Sequence, residues 1–345
     1  MPEAAESISV IGGGSWGTAL AVLFARSRPG AIVPLWVYEP DLARAMAETR
    51  TNKTFLPGIE LPPEIRPSAD LSACCAPVVV MATPSHALRA TLARMADVLP
   101  PEAVLVLATK GLEANSLLRA SEVAESVLGA KASSRVATLS GPTFAREIAQ
   151  GEPAAVVIAS RDAALARRLQ RQLATPSLRL YTTSDVIGVE LAASLKNVIA
   201  IASGICQGLG LGSNTRAALI ARGLAEITRL VVGAGGDSDT VAGLAGLGDL
   251  VLTCTGELSR NRALGIALGE GRTLESYQST TPMVAEGVPT TRAACELAER
   301  LGVDMPITQQ MRRVLFEGRA PQLALAELMQ RPPKAENGVE PGKAT

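Results

Sequence analysis

Residues 184–210 read SDVIGVELAASLKNVIAIASGICQGLG. This stretch is long, apolar and free of proline, and it ends in glycines, which is the pattern of a helix buried on most sides. Lys196 and Asn197 interrupt its middle, and Glu190 precedes them by one to two turns. A buried lysine must find a partner or lose its proton, so Lys196 is a candidate functional residue. The alternative is a structural lysine that pairs with Glu190 or extends outwards.

The composition is that of a soluble globular protein large enough for two domains. The chain has 345 residues, of which 47% are hydrophobic and 19% charged; such a chain can bury a sizeable core. Its 33 basic residues balance its 33 acidic residues. The sequence therefore has no overall field that would attract nucleic acid or an anionic membrane.

The sequence also predicts a cytoplasmic protein without a metal site. No uninterrupted apolar run approaches the ~20 residues that span a bilayer, and the first residues lack a basic region followed by an apolar one. The five cysteines are odd in number and contain no C-x-x-C, which predicts reduced thiols. His86 is the only histidine, so we expect neither zinc nor a histidine base. Proton transfer should then fall to Lys, Asp or Glu.

A glycine-rich turn near the N-terminus predicts dinucleotide binding. An apolar strand at residues 7–11 is followed by G-x-G-x-x-G, formed by Gly12, Gly14 and Gly17, and then by a helical pattern. In this context Gly12 makes the tight turn, Gly14 admits the pyrophosphate and Gly17 lets helix and strand pack closely. The helix N-terminus adds free N–H groups for the phosphates. The alternative is a plain glycine-rich turn.

The next strand carries a hint about which dinucleotide binds. The apolar run at 32–37 is followed by Tyr38 and Glu39. A carboxylate at this place binds the adenine ribose hydroxyls and would repel the extra phosphate of NADP. The sequence therefore favours NAD over NADP. The alternative is that Glu39 only begins a turn and caps the next helix.

Further apolar runs alternate with helical patterns, which indicates parallel strands covered on both faces. The runs are 78–82, 104–108 and 136–139. Two further strands are expected at 154–158 and 178–181, with a charged helix at 162–173 between them. Doubly wound sheets bind ligands at the carboxyl ends of their strands. Lys110 is therefore expected at the mouth of the cofactor cleft, unless it is a solvated loop lysine.

His86, which begins a helix, is interpreted as a near-cleft or capping residue. The Pro- and Gly-punctuated loop at 51–63 has no explanation in the sequence pattern.

From residue 184 onwards the pattern is almost wholly helical. A second long helix is expected at 216–233, followed by a Gly-rich loop at 243–248 that leads to Asp249. Ser259 then opens another helix with Arg260 on its first turn, which indicates either an anion site or simple capping with a surface arginine.

The fold class follows from these patterns. We predict an α/β Rossmann-type, doubly wound dinucleotide-binding domain at residues 1–184. An all-α C-terminal substrate and catalytic domain follows at 185–331, and a disordered tail at 332–345.

Taken together, the motifs resemble those of the soluble NAD(P)-dependent sn-glycerol-3-phosphate dehydrogenases, which reduce dihydroxyacetone phosphate. The resemblance runs from Val10 to about Ile307, in the family's order and spacing. The segments that carry it are IGGGSWGTALA, FLPGIELP, ATKGLE, LSGPTFARE, GVELAASLKNVIAIASG, LAGLGDLVLTCT, SRNR and VAEGVPTT. One feature departs from many bacterial relatives, which carry Arg just after the second strand where this chain has Tyr38-Glu39. The departure puts use of NADP in doubt.

The motifs and the resemblance together assign roles to individual residues. Lys196 would be the catalytic acid and base, assisted by Lys110, Asp249 and Asn197. The residues expected to bind the cofactor are Gly12, Gly14, Ser15, Trp16, Gly17, Tyr38, Glu39, Lys110, Ala145, Arg260, Val284 and Glu286. Those expected to bind substrate are Lys110, Gly141, Thr143, Lys196, Asp249, Ser259, Arg260 and Asn261.

The implied reaction is the reversible reduction of dihydroxyacetone phosphate to sn-glycerol 3-phosphate by NAD(P)H, in a cytoplasmic homodimer that supplies glycerophospholipid synthesis. Two other functions stay open. One is a related two-domain dehydrogenase of a hydroxyacid or sugar acid, for which Arg260 would be irrelevant. The other is a non-catalytic NAD-binding protein, against which the pairing of Lys110 with Lys196 argues.

Overall fold

One eight-stranded sheet organises the first half of the chain. The computed structural model describes residues 7–280, 285–333 and 336, apart from the side chain of Lys131. In space the large sheet runs β10-β9-β8-β7-β6-β1-β2-β5, and β3 pairs with β4 in a separate antiparallel hairpin. The strands are β1 (Ile8–Ile11), β2 (Val33–Trp36), β3 (Thr51–Asn52), β4 (Leu56–Glu60), β5 (Ile65–Ser68), β6 (Val78–Met81), β7 (Val104–Leu107), β8 (Val136–Ser140), β9 (Ala154–Ala159) and β10 (Leu178–Thr183).

Helices cover both faces of this sheet, and every regular element that the structure describes after β10 is helical. In chain order they are α1 (Ser15–Ser27), α2 (Pro40–Thr49), α3 (Ser85–Met95), α4 (Ala120–Leu128), α5 (Ala145–Gln150), α6 (Ala163–Leu173), α7 (Val186–Gly208), α8 (Ser213–Gly233), α9 (Ser238–Ala242), α10 (Asp249–Thr255), α11 (Arg260–Gly269), α12 (Leu274–Gln278), α13 (Gly287–Leu301), α14 (Pro306–Phe316) and α15 (Pro321–Met329). Short 3₁₀ turns lie at Ser72–Cys74 and Ala130–Arg135, and a π-helical turn at Leu244–Gly248.

The central strands are apolar throughout because both of their faces are buried. Every residue of β1, β6, β7 and β8 is buried. Successive side chains alternate between two apolar clusters, as strand geometry requires. Val80 packs in the cluster that contains residues of α1, whereas Met81 packs with Leu88 of α3 on the other face. The fold class predicted from the sequence is confirmed.

The large sheet is mixed, because its last two strands reverse direction. Strands β1, β2, β5, β6, β7 and β8 are parallel, but β9 runs antiparallel to β8, and β10 is parallel to β9. The parallel direction predicted for the runs at 78–82, 104–108 and 136–139 is confirmed. The directions of β9 and β10 were not predicted, because an apolar run carries no record of its direction. Gly12, Lys110 and Gly141 follow the carboxyl ends of parallel strands and thus share one edge of the sheet.

Helix α7 is the centre of the C-terminal part. Among the described residues it is the one helix long and apolar enough to cross a membrane, and its apolar window is 94% buried inside the protein, as in the core helix of a soluble protein. It packs against α8, α10, α11 and α13. Gly204 and Gly208 face Gly265 and Gly269 of α11, so the two backbones approach closely. A Cβ atom on Gly265 would lie 2.0 Å from the backbone oxygen of Ile201.

Local boundaries also differ from those predicted. The unexplained loop at 51–63 contains the β3–β4 hairpin. The segment predicted as a Gly-rich loop at 243–248 is mostly helical, because the π-helical turn continues directly into α10. Helix α8 begins at Ser213, three residues before the predicted start at Arg216.

The domain division and the tail stay predictions. The last strand ends at Thr183 and α7 begins at Val186, on either side of the predicted boundary at residue 184. The predicted tail at 332–345 lies almost entirely outside the described residues.

Candidate active site

A single carboxylate brings the two predicted lysines together. Asp249 is fully buried as the first residue of α10, directly after the glycines of the π-helical turn. Its Oδ2 accepts a hydrogen bond from Lys110 Nζ at 2.7 Å, and its Oδ1 accepts one from Lys196 Nζ. The Lys110 side chain is 17% exposed and that of Lys196 only 7%. Lys110 is therefore the more accessible of the two lysines, and Lys196 lies deeper.

The surroundings of Lys196 suit it to exchange a proton near neutral pH. Burial lowers its pKa to about 7; the Lys110 ammonium acts in the same direction, and the Asp249 carboxylate opposes it. Lys196 Nζ also donates to Thr253 Oγ1 at 2.8 Å. The hydroxyl hydrogen of Thr253 goes to the backbone oxygen of Asp249 at 2.6 Å, so a lone pair on Oγ1 is free to accept from Lys196.

Sequence reasoning missed Thr253. It lies one helical turn after Asp249, a spacing that places both residues on the same face of α10. The signal was hidden because the segment before Asp249 was interpreted as a loop.

Glu190 is not the partner of Lys196, so the alternative of a structural Lys196–Glu190 pair is wrong. Glu190 faces the sheet domain instead, and its carboxylate accepts from Arg119 Nη1 at 2.8 Å, from the backbone N and hydroxyl of Ser121 at 2.8 and 2.7 Å, and from Thr138 Oγ1 at 3.1 Å. Burial raises its pKa, and these donors oppose that shift. Glu190 thus ties α7 to β8 and to the start of α4.

A second contact ties α7 to the segment that carries Lys110. The backbone N of Gly111 donates to Ser194 Oγ at 3.0 Å, and that hydroxyl donates to the Glu190 backbone oxygen at 2.7 Å. Gly111 has a φ of +127°, and a Cβ atom there would lie 2.8 Å from Ser85 Oγ. The position therefore requires glycine. Ser194 is two residues from Lys196, so this contact fixes both lysine segments relative to each other.

Two amides extend the site towards α11 and α13. Asn261 Nδ2 donates to Asn197 Oδ1 at 2.9 Å, and the backbone N of Gly287 donates to Asn261 Oδ1 at 2.9 Å. Ser259 is the N-cap of α11, because its hydroxyl accepts from the Arg262 backbone N at 3.2 Å. Ser259 therefore caps α11, as both interpretations of this helix start require. The adjacent Arg260 is exposed, and its charge interacts with the Glu286 carboxylate.

The predicted substrate residues of the β8 end lie beside Lys110. Lys110 Nζ approaches the backbone oxygen of Gly141 at 3.4 Å, and Thr143 Oγ1 donates to the same oxygen at 3.2 Å. Gly141 has a φ of +151°, and a Cβ atom there would lie 2.9 Å from Val156 Cα. The following residues lead to Ala145, the first residue of α5.

The Gly-rich turn has the geometry of a phosphate loop. Gly12 has a φ of +128°, and a Cβ on Gly17 would lie 2.0 Å from the Gly12 oxygen, so these two positions require glycine. A Cβ on Gly14, by contrast, would meet nothing within 4 Å. Helix α1, which begins with Ser15, has no side-chain cap, so its first N–H groups are available for an anion. The buried Nε1 of Trp16 has no hydrogen-bond partner among the described residues.

The predicted cofactor residues outside this turn come from separate segments. Tyr38 is 69% exposed, and Glu39 is the N-cap residue of α2 without a side-chain cap bond. Glu286 accepts from Ser85 Oγ at 3.0 Å, and burial raises its pKa. His86 is exposed on the first turn of α3. Val284 lies outside the described residues.

A separate cavity of about 530 Å³ plays no part in this arrangement. It is lined by Arg161, residues 184–187, Val232 and residues 235–238, none of which belongs to the predicted site. Because β9 and β10 are reversed, their carboxyl ends point to this side of the sheet, away from Lys110.

The chain is similar to known proteins over nearly its whole length. The family models for the N-terminus and the C-terminus of NAD-dependent glycerol-3-phosphate dehydrogenase match residues 7–166 and 185–326. The NAD(P)+ glycerol-3-phosphate dehydrogenase of Geobacter metallireducens is 50% identical over 335 residues, which cover 96% of this chain and 99% of that protein. The enzyme of the same name from Geobacter sulfurreducens is 51% identical over 333 residues, with the same coverage.

A solved structure shows the same similarity. The crystal structure of glycerol-3-phosphate dehydrogenase from Coxiella burnetii is 41% identical to this chain and superposes with a TM-score of 0.89. The match covers 94% of this chain and 99% of that one.

Proposed function

The chain belongs to the NAD-dependent glycerol-3-phosphate dehydrogenase family, and we propose that Lys196 is the acid and base of its reaction. As a member of this family the protein uses NAD(P) to interconvert dihydroxyacetone phosphate and sn-glycerol 3-phosphate. The observation that carries the proposal is the buried contact of Lys196 and Lys110 with the two oxygens of Asp249.

The residues of the Gly-rich turn fit a dinucleotide. The open space at Gly14 and the uncapped start of α1 suit a pyrophosphate. The unpartnered Nε1 of Trp16 is a further donor at this turn. Gly12, Ser15 and Gly17 complete the turn; Ala145, Val284 and Glu286 are proposed to line the rest of the cofactor site. When bound, NAD(P)H supplies the hydride that reduces the ketone.

Lys196 neutralises the charge that develops on the ketone oxygen during reduction. As the hydride reaches the carbonyl carbon, negative charge grows on the oxygen, and a nearby donor lowers the barrier. The Lys196 ammonium gives its proton to that oxygen and becomes the neutral amine. In the reverse direction the amine accepts the hydroxyl proton of sn-glycerol 3-phosphate. A pKa of about 7 allows both states at neutral pH.

Neighbouring groups hold the reacting atoms and Lys196 in place. Asp249 and Thr253 fix the position of Nζ. Lys110, the more exposed cation, stabilises charge on the substrate oxygen and extends to the cofactor. The amide of Asn197 orients the substrate.

The start of α11 anchors the phosphate of the substrate. Arg260 supplies a guanidinium, and the first turn of the helix supplies N–H groups. The Ser259 hydroxyl accepts from Arg262 as a cap, but its own hydrogen is free to donate to the phosphate. Asn261 contributes its second amide hydrogen, and Gly141 and Thr143 close the site near Lys110. Phosphate binding far from the ketone holds the reactive end in place.

Three further features of the function are proposals. Glu39 follows the second strand, where a carboxylate binds ribose hydroxyls, and Tyr38 precedes it; we propose that NAD is preferred over NADP. The protein would act as a cytoplasmic homodimer. Its product would supply glycerophospholipid synthesis.

The test is the absorbance of NADH and of NADPH, followed separately as dihydroxyacetone phosphate is added. We expect faster oxidation of NADH than of NADPH, and little activity with unphosphorylated dihydroxyacetone. Activity that did not distinguish the two ketones would favour a dehydrogenase of unphosphorylated substrates, and NADH binding without oxidation would indicate a binding protein.

Lys196→Ala tests the role of the lysine. It should lower turnover by orders of magnitude while NADH still binds. Ser203→Ala is the matched control, because Ser203 is buried two turns later on the same helix and donates to the Cys254 backbone oxygen at 3.0 Å. Near-normal turnover of Lys196→Ala would contradict the proposed role.

A further inference from the structure

The hairpin of β3 and β4 contacts the Gly-rich turn through the side chain of Asn52. Asn52 is fully buried. Its Nδ2 donates to the backbone oxygen of Gly13 at 2.8 Å and to Thr18 Oγ1 at 2.9 Å. Its Oδ1 accepts from the backbone N of Phe55 at 3.0 Å. Both amide hydrogens and the carbonyl oxygen of Asn52 are therefore engaged.

The Gly13 carbonyl is held from two sides. Thr18 Oγ1 donates to the same oxygen at 3.2 Å while it accepts from Asn52. A Cβ atom on Gly13 would lie 2.8 Å from the methyl groups of Val37, so the residue also has no room to shift towards β2. Asn52, Thr18 and Val37 together fix the peptide unit that joins Gly13 to Gly14.

The orientation of this peptide unit decides where the Gly14 N–H group points. In a planar trans peptide the carbonyl oxygen and the following N–H point in opposite directions. Because Asn52 and Thr18 hold the Gly13 oxygen on the protein side, the Gly14 N–H is directed to the opposite side. The space beside Gly14 is open, and it adjoins the uncapped start of α1.

We propose that Asn52 is a positioning residue for dinucleotide binding, because it orients the Gly13–Gly14 peptide so that the Gly14 N–H donates to the pyrophosphate. This rests on the proposed function, in which the Gly-rich turn binds NAD(P). The pyrophosphate is common to NADH, NADPH and ADP-ribose. Loss of Asn52 therefore weakens all three by a similar factor, and it leaves the acid–base chemistry at Lys196 intact.

The first measurement is binding of NADH and of ADP-ribose by isothermal titration calorimetry. Asn52→Ala removes two hydrogen bonds that orient the peptide, and we expect Kd to rise about 10- to 100-fold for both ligands. In steady-state assays KM for NADH should rise by a similar factor, while kcat at saturating NADH stays within about threefold of the wild-type value. A general loosening of the fold would lower kcat as well.

Two further variants separate the role of Asn52 from the placement of the hairpin. Thr18→Val is nearly isosteric and removes one donor to the Gly13 carbonyl. It should raise Kd for both ligands by a smaller factor than Asn52→Ala does, and it tests the proposal even if Asn52→Ala fails to fold. Arg146→Ala is the matched control, because Arg146 Nη2 donates to the Pro57 backbone oxygen of the hairpin at 3.1 Å and does not contact Gly13. Its Kd values should stay within twofold of the wild-type values.

Two outcomes would overturn the proposal. One is a folded Asn52→Ala protein, or a folded Thr18→Val protein, that binds ADP-ribose as tightly as the wild type. The other is an equal loss of affinity in Arg146→Ala, which would assign the effect to the hairpin as a whole. Failure of the proposed function would look different, because wild-type protein would then not oxidise NADH when dihydroxyacetone phosphate is added, whatever its affinity for ADP-ribose.

Discussion

The charges around Lys196 should set the pH dependence of catalysis. Reduction of the ketone needs the protonated lysine, so its rate should fall as the pH rises through about 7, the pKa of Lys196. Oxidation of the alcohol needs the neutral amine, so its rate should rise through the same range. Asp249→Asn removes the carboxylate that raises this pKa, and Lys110→Met removes the cation that lowers it. The two substitutions should therefore move the pH profile in opposite directions.

The size of the shift follows from the contacts. Lys196 and Asp249 form a charge-assisted hydrogen bond in a buried site, and such bonds contribute about 1.5–3 kcal/mol. One pKa unit corresponds to about 1.36 kcal/mol, so Asp249→Asn should move the profile to lower pH by about one to two units. Lys110 is partly exposed and lies beyond the carboxylate. Lys110→Met should therefore move the profile upwards by about one unit or less.

The assay is kcat/KM for dihydroxyacetone phosphate between pH 5.5 and 9.5 at constant ionic strength, which reports groups of the free enzyme. Thr253→Val is the control, because it removes a hydrogen bond to Lys196 without changing charge. It should lower the rate and move the profile less than Asp249→Asn does. Equal profiles in all variants, or shifts of Asp249→Asn and Lys110→Met in the same direction, would refute the assignment of the proton to Lys196.

Three other substitutions test the packing and the buried charges through urea unfolding. Gly265→Ala should destabilise the protein by about 1–3 kcal/mol or more, because its Cβ would clash with the backbone of α7. Gly212→Ala is the control: its Cβ would meet nothing within 4 Å, so it should lower the free energy of unfolding by less than about 1 kcal/mol. Arg119→Met should lower the free energy of unfolding by about 3–5 kcal/mol, because it leaves the buried Glu190 carboxylate without its cation. A smaller loss of stability in Arg119→Met/Glu190→Gln than in Arg119→Met would confirm this cause. Burial raises the pKa of Glu226 from 4.5 to about 7, so the folded state binds more protons than the unfolded state between these values, and stability should fall as the pH rises through this window. Glu226→Gln should reduce that slope, to which Glu190 and Glu286 with their raised pKa values also contribute. An unchanged slope would show that Glu226 does not cause it.

Features that a local rule dictates could be predicted from the sequence. Gly12 and Gly17 stand where a side chain would strike backbone atoms, so the turn can be recognised from its glycines alone. Lys196 could be singled out because an ammonium group inside an apolar helix needs a partner. The identity of that partner was beyond the sequence pattern, because a partner that comes from another segment of the chain leaves no mark in the local spacing. The actual partners, Asp249 and Lys110, come from segments that are 53 and 86 residues away along the chain.

Features that depend on long-range placement could not be predicted in this way. The directions of β9 and β10 depend on how the chain crosses the sheet, which an apolar run does not encode. The β3–β4 hairpin has short strands with punctuating Pro57 and Gly58, so its pattern is that of a loop. Asn52 gains its significance only when the hairpin folds against the Gly-rich turn, since nothing in the local sequence marks a contact with Gly13.

The shared carboxylate couples the strength of the acid to the placement of the second cation. The two oxygens of Asp249 hold Lys196 and Lys110 separately, so any change at Asp249 alters both the pKa of one lysine and the position of the other. Thr253 is different. Its hydroxyl accepts a hydrogen bond from Lys196 Nζ, and its only other contact with a charged group among the described residues is a weak one, at 3.4 Å, with Asp249 Oδ1. Acid strength can therefore be adjusted through Thr253 with little effect on Lys110. Substitutions at Thr253 should change the rate of proton transfer while the affinity for dihydroxyacetone phosphate stays near the wild-type value, whereas substitutions at Asp249 should change both together.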